Sequence, residues 1–248
     1  MLIVISPAKS LDFETTFNCE ISSEPKFEKE AEKLALELKK FTVSDLEKLQ
    51  EISKKLAELN FERWENFKNN EKRQALLAFD GDVYAGIEKN KFTTKDFEFA
   101  QNHLRILSGL YGILKPLDLI KPYRLEMGTE FKNHKFPYKN LYQFWGDKLA
   151  QELDNSDAKS IVNLASEEYF AAINPKKITK NIINISFKDQ KNGALKIIGI
   201  NSKKMRGLVT NFAIKNHITN AEKLKDFSAM NYVFEPKLSD KNNWVFVR

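Results

Sequence analysis

The chain opens on an unbroken apolar run, Leu2 to Ile5, which Ser6 and Pro7 bring to a stop. So short an apolar run predicts a strand over Leu2–Ser6 that is buried on both faces. The period then lengthens. Phe27, Ala31, Leu34, Ala35 and Leu38 recur at helical spacing and predict a helix over about 27–40. Ser44 and Glu47 have the spacing of a capping box, which predicts a second helix through Leu59. "EKRQALLAF" carries the helical pattern on to Gly81, where "DGDVYAGI" breaks it. The mixed charges from Glu24 to Arg73 suit a solvated helical layer.

Thr94 predicts the cap of a further helix, "KDFEFAQNHLRIL", which runs into "LSGLYG". Two glycines three apart inside apolar sequence predict a tight turn, and the whole stretch reads as a helix-hairpin-helix over about 95–121. Leu141, Phe144, Trp145, Leu149 and Leu153 predict a helix over 141–153. "SIVNLASEEYF" predicts a buried strand and then a helix with Ser166 near its N-cap. "IINISF" and "ALKIIGI" flank "KDQKNG", where Asn192-Gly193 favours a hairpin turn. A helix from about Ser202 to Asn216 follows, and "YVF" and "WVFV" supply late strands. Strands and helices that interleave without repeat or linker predict a mixed α/β (α+β) fold, one compact domain over 1–248.

Composition narrows the classes. No window reaches the ~18 consecutive apolar residues of a membrane span. The opening lacks a basic region, so a signal peptide is not expected. Cys19 is the single cysteine, which excludes an internal disulfide and fits a reducing cytosol. His103, His134 and His217 stand far apart, so neither a zinc nor a histidine-rich iron site is expected, and no cofactor is expected either. Charge is unevenly spread. Between Ala171 and Asn220 ten Lys or Arg stand against one acid, Asp189, so this stretch carries +9 in a chain of net charge +6. Asymmetry of that kind points to a polyanion, most often nucleic acid. A solvated basic face is the alternative.

Several segments carry residues able to do chemistry. In the hairpin, Ser108, Gly109 and Gly112 would let the backbone approach a phosphate, with Lys115 and Lys121 nearby; a purely structural corner is the alternative. "ISPAKSLD" places Ser6, Lys9, Ser10 and Asp12 past the carboxyl end of a strand, and "VNLASEEY" does so with Asn163, Ser166, Glu167 and Tyr169. Ligands of α/β sheets bind in that position, so both segments could face one cleft. "DGDVYAG" adds Asp80, Asp82 and Tyr84, and "KPYRLEMG" adds Arg124 and Glu126. Lys9, Asp82, Tyr84, Arg124 and Glu126 are the catalytic candidates, although no pair has the spacing of a known motif. On "NSKKMRGLVTNF", Lys203, Lys204 and Arg206 lie near a helix start, where cations oppose the dipole and a bound phosphate would relieve the conflict. Tyr123, Tyr142 and Trp145 are candidates for base stacking.

Taken together, "LIVISPAKSLDF", "AFDGDVYAGI", "HLRILSGLYGILKPLDLIKPYRLEMG", "LYQFWGDKL", "VNLASEEYF" and "KKMRGL" resemble, in that order, the bacterial YaaA peroxide-stress-resistance family. The resemblance implies a cytoplasmic protein that limits free iron and oxidative DNA damage. It also implies a single-domain α/β fold with a helix-hairpin-helix and a positively charged cleft, binding DNA. Carried onto this chain, the hairpin is Leu107 to Gly112 and the cleft residues are Lys9, Arg124, Lys203, Lys204 and Arg206. The expectation is a monomer that binds DNA largely independently of sequence, with no membrane association. An enzyme acting on damaged bases or nucleotides in the cleft is the alternative, and direct iron binding is a third.

Overall fold

The structure, a computed structural model, describes residues 1–131, 136–191 and 193–248. His134 and Asn192 lie outside the described residues. An eight-stranded sheet forms the centre of the molecule. Across it the strands run Val233–Phe234, Asn243–Val247, Asn181–Lys191, Ser160–Leu164, Leu2–Ile5, Leu104–Ser108 and Gly112–Leu114, with Ala194–Lys196 paired to the far end of Asn181–Lys191. The five strands from Asn243–Val247 to Leu104–Ser108 are mutually parallel, and the outer pairings are antiparallel. All four residues of Leu2–Ile5 are buried. Alternate side chains point to opposite faces, so both faces of this central strand are covered, as its apolar run predicts.

The largest departure from the sequence reading is the "LSGLYG" stretch. Helix Thr94–His103 ends where Leu104 turns extended, and the chain continues as strand Leu104–Ser108, a turn, and strand Gly112–Leu114. This is a β-hairpin at the sheet edge, not a helix-hairpin-helix. The reason is tertiary: Leu104, Arg105, Ile106, Leu107 and Ser108 are all buried, in register with Leu2–Ile5. For so short an apolar run, pairing with an existing strand outweighs helix propensity.

Helices break more often than their periodicity suggests. The helix expected through Leu59 is two, Val43–Gln50 and Lys54–Glu65, separated at Glu51 (φ +49°). Thr42 and Asp45 form the capping box, not Ser44 and Glu47. Thr93, not Thr94, caps the helix Thr94–His103. Gly146 (φ +50°) divides 141–153 into Leu141–Trp145 and Lys148–Asp154. "EKRQALLAF" keeps one helical turn, Ala75–Ala78, between short strands. The basic helix begins earlier than expected and covers Gly199–Lys215, packed on strand Asn181–Lys191 and on helix Thr94–His103.

Candidate functional site: a cleft at the carboxyl ends of the central strands

Strand Leu2–Ile5 leads to its neighbour on one side, and Ser160–Leu164 leads to its neighbour on the other. Two adjacent strands whose connections diverge leave a crevice past their carboxyl ends. Ser6 and Ser166 occupy those ends. Ser166 N–H donates to Ser6 Oγ at 2.8 Å, and Ser6 Oγ lies 3.3 Å from Ser166 Oγ. Ser166 also caps helix Glu167–Ala171, so one pair of hydroxyls ties both strand ends together.

Above this pair opens a cavity of about 480 Å³, lined by Ser6, Lys9, Asp82, Tyr84, Glu126, Ser166, Lys203 and Arg206 among others. Segments far apart in sequence thus converge as the strand-end argument predicts. A neighbouring lobe of about 860 Å³ shares Lys9, Glu126 and Glu168 and adds Arg124, Gln50 and Lys48. Glu126 links the two lobes: it meets Lys9 Nζ at 2.7 Å and Arg124 Nη2 at 2.9 Å. Lys203 Nζ stands 3.8 Å from Asp82.

Tyr84 is buried and donates its hydroxyl to the Ser6 carbonyl at 3.0 Å. Burial pushes its phenol well above the usual range, as it does for Tyr169 across the cavity. Among the catalytic candidates Tyr84 is therefore a proton donor with its proton already engaged, not a base.

Arg206 is the exceptional group. It lines the cavity, makes no ion pair within 4.0 Å among the described residues, and its buried Nε has no hydrogen-bond partner. Burial holds its pKa below the usual guanidinium value, partly offset by Glu167. A half-buried guanidinium without an ion pair is only partly solvated, so an anion in the cavity would complete it. Arg124 Nε is likewise buried and unpartnered, beside Gln50, whose Nε2 donates to the Arg124 carbonyl at 2.7 Å.

Two glycines seat the basic helix against this cleft. A Cβ on Gly207 would lie 1.9 Å from the Val83 carbonyl oxygen, and one on Gly86 would lie 2.7 Å from that of Lys204. Only hydrogen at both positions lets the helix approach the Tyr84–Gly86 turn closely enough for Lys203 and Arg206 to reach the cavity.

Other expected residues lie elsewhere. Ser108, Gly109 and Gly112 are buried, and Ser108 Oγ bonds the Tyr123 hydroxyl at 2.6 Å. A Cβ on Gly109 would strike the Leu125 carbonyl at 2.3 Å, and one on Gly112 would strike the Trp145 ring. These glycines serve packing rather than phosphate approach. Lys121 is buried, donates to the Lys68 carbonyl and lies 4.9 Å over the Phe67 ring. Lys115 borders a separate small pocket with Arg105 and Asp118. Tyr123 and Trp145 belong to the core, while Tyr142 bonds the Glu168 carbonyl. Asp12 turns to Arg73, and Asn163 to Asn184. Lys204 is exposed beside the cleft without lining it.

Glu168 was not legible. It accepts from Gly128 N–H at 2.8 Å and faces both lobes, yet in sequence it is merely the second of two glutamates after a cap. The expected positive charge of the cleft also needs correction: three cations, Lys9, Lys203 and Arg206, face four carboxylates, Asp80, Asp82, Glu126 and Glu168. Among the described residues no group of three His, Cys, Asp or Glu is placed to hold a metal ion, and no helix is long and apolar enough to cross a membrane.

Fold and site together define a mostly parallel α/β protein with a polar, mixed-charge cleft at its topological switch point. The family profile described as peroxide stress protein YaaA matches residues 1–238, and the chain belongs to that family. It is 48% identical to a UPF0246 protein of Acaryochloris marina over the whole of both chains. It is also 46% identical to a UPF0246 protein of Teredinibacter turnerae, covering 100% of this chain and 99% of the relative.

Proposed function

We propose that this cytoplasmic protein acts in peroxide-stress resistance by engaging DNA at the cleft. A nucleotide unit enters the cavity, and the exposed lysines at its mouth hold the backbone. Its service to the cell is to limit the damage that peroxide and free iron inflict on DNA. Arg206 carries the reading, because its half-buried guanidinium lines the cavity without an ion pair among the described residues, its Nε is unpartnered, and a phosphate would supply the anion. The mixed lining favours a base over a run of phosphates on the cavity floor. Ser6, Ser166, Asp82 and Glu126 offer donors and acceptors, and the volume suits a single small unit. Lys9, Lys203 and Lys204 would add backbone contacts that are blind to sequence.

The test is fluorescence anisotropy with duplex, single-stranded and bulged DNA across salt concentrations. Binding should weaken with salt, and Arg206→Ala should cost about tenfold or more, in line with a lost charge-assisted contact. Binding that ignores both salt and this substitution would sink the proposal.

A second reading, catalysis on a damaged base, is favoured by the Lys9–Glu126–Arg124 cluster at the junction of the lobes. Borohydride trapping of an adduct that Lys9→Ala abolishes would support it. Full repair activity in Lys9→Ala would reduce Lys9 to a phosphate clamp.

A further inference from the structure

At the start of the basic helix and just before it, the chain exposes large aliphatic side chains. Ile197 is 59% exposed and Ile200 66%, three residues apart, with Leu195 at 38% beside them. Isolated exposed aliphatics are ordinary, but a cluster on one short segment marks a contact surface. Its surroundings specify the partner. Lys191, Lys196, Lys203 and Lys204 are exposed around it. The one acid of this region, Asp189, is buried and bonded to Tyr232 at 2.6 Å, Arg248 at 2.6 Å and Asn201 at 3.3 Å. An apolar knob flanked along the chain by exposed lysines, with the local carboxylate turned inward, complements a polyanion that has apolar faces to offer. Nucleic acid is such a polymer.

Position sharpens this. Ile200 precedes Arg206 by six residues on one helix, about 9 Å along the axis at the usual rise. Lys203, three residues on and so a neighbour of Ile200 on the helix surface, lines the cavity, which sets the knob beside the cleft mouth. The Asp189 network joins strand Asn181–Lys191, the first turn of the helix and the chain end, so the knob has a firm base. We propose that Ile197 and Ile200 form a wedge that enters the base stack of DNA next to the nucleotide taken into the cleft. Extruding a nucleotide leaves an unstacked gap, and apolar side chains inserted between base steps fill such gaps. The proposal rests on the reading of the cleft given above.

The experiment uses a duplex carrying 2-aminopurine beside a bulge, whose fluorescence rises on unstacking, with anisotropy measured in parallel. Wild-type protein should bind and raise the fluorescence several-fold. Ile197→Ser/Ile200→Ser should bind within about threefold, since the phosphate contacts remain, yet lose the rise. Equal unstacking by this variant would overturn the wedge and leave DNA binding at the cleft standing. Failure of the wild type to bind any DNA would remove both. Sedimentation completes the test: a dimer that the double variant dissolves would assign the face to a second copy of the chain and overturn the wedge.

Discussion

At the scale of single residues, one buried and one half-buried charge show what partners do. Asp96 is 4% exposed, and burial alone would raise its carboxyl. Lys215 at 2.8 Å and the Thr93 cap outweigh that and hold it at about 2, against an ordinary 3.8. A depressed carboxylate stabilises the fold above its unfolded value and loses that contribution as pH falls through the folded one. Roughly 2 kcal/mol of stability should therefore disappear between about pH 4 and pH 2. Asp96→Asn should flatten that part of a plot of thermal midpoint against pH. Arg206 is the opposite case, half-buried with no ion pair among the described residues and with an unpartnered, buried Nε. Arg206→Met should raise the thermal midpoint by about 2–4 °C, as relief of about 1 kcal/mol would, while DNA binding falls. A midpoint that drops instead would mean that the guanidinium is satisfied within the protein.

At the scale of elements, the position of the basic helix depends on a missing side chain. Gly207→Ala places a methyl against the Val83 carbonyl, an obstacle made of backbone that cannot rotate aside. The cost should be about 1–3 kcal/mol by denaturant unfolding, and DNA binding should weaken because Lys203 and Arg206 withdraw from the cavity. Ser166→Ala removes a helix cap and the hydroxyl contact with Ser6, while the backbone N–H bond to Ser6 Oγ remains. It should cost about 1 kcal/mol for the cap alone. Elements also show where sequence reading reached its limit. Strand Leu2–Ile5, strand Ser160–Leu164 and the helix capped by Ser166 were legible, because four apolar residues in a row and a serine before two glutamates have one comfortable conformation each. Leu104–Ser108 was not, since "LRILS" satisfies helical and extended patterns alike and only its neighbour Leu2–Ile5 decides.

At the scale of the whole molecule, the basic region from Ala171 to Asn220 folds into a sheet strand, a short strand paired back on it and a helix that lends Lys203 and Arg206 to the cleft. Apart from Lys203 and Arg206 its charge lies outside the cavity, whose own lining leans slightly acidic. The expected consequence is a moderate salt dependence. Each phosphate contact contributes about −0.9 to the slope of log K against log salt. Lys203→Ala/Lys204→Ala should reduce that slope by about two units. An unchanged slope would place the phosphate contacts on another face.

By itself the sequence determined the class of fold, the central buried strand, the uneven charge and the family. It also nominated most of the cleft, because chemistry-bearing residues immediately after a buried strand have few other places to go in an α/β sheet. Tertiary structure alone decided that "LSGLYG" is an edge hairpin with buried glycines, that Glu168 faces both lobes, and that Arg206 stands without an anion. Each of those depends on which distant segment lies opposite, a contact between residues tens of positions apart that local periodicity does not encode.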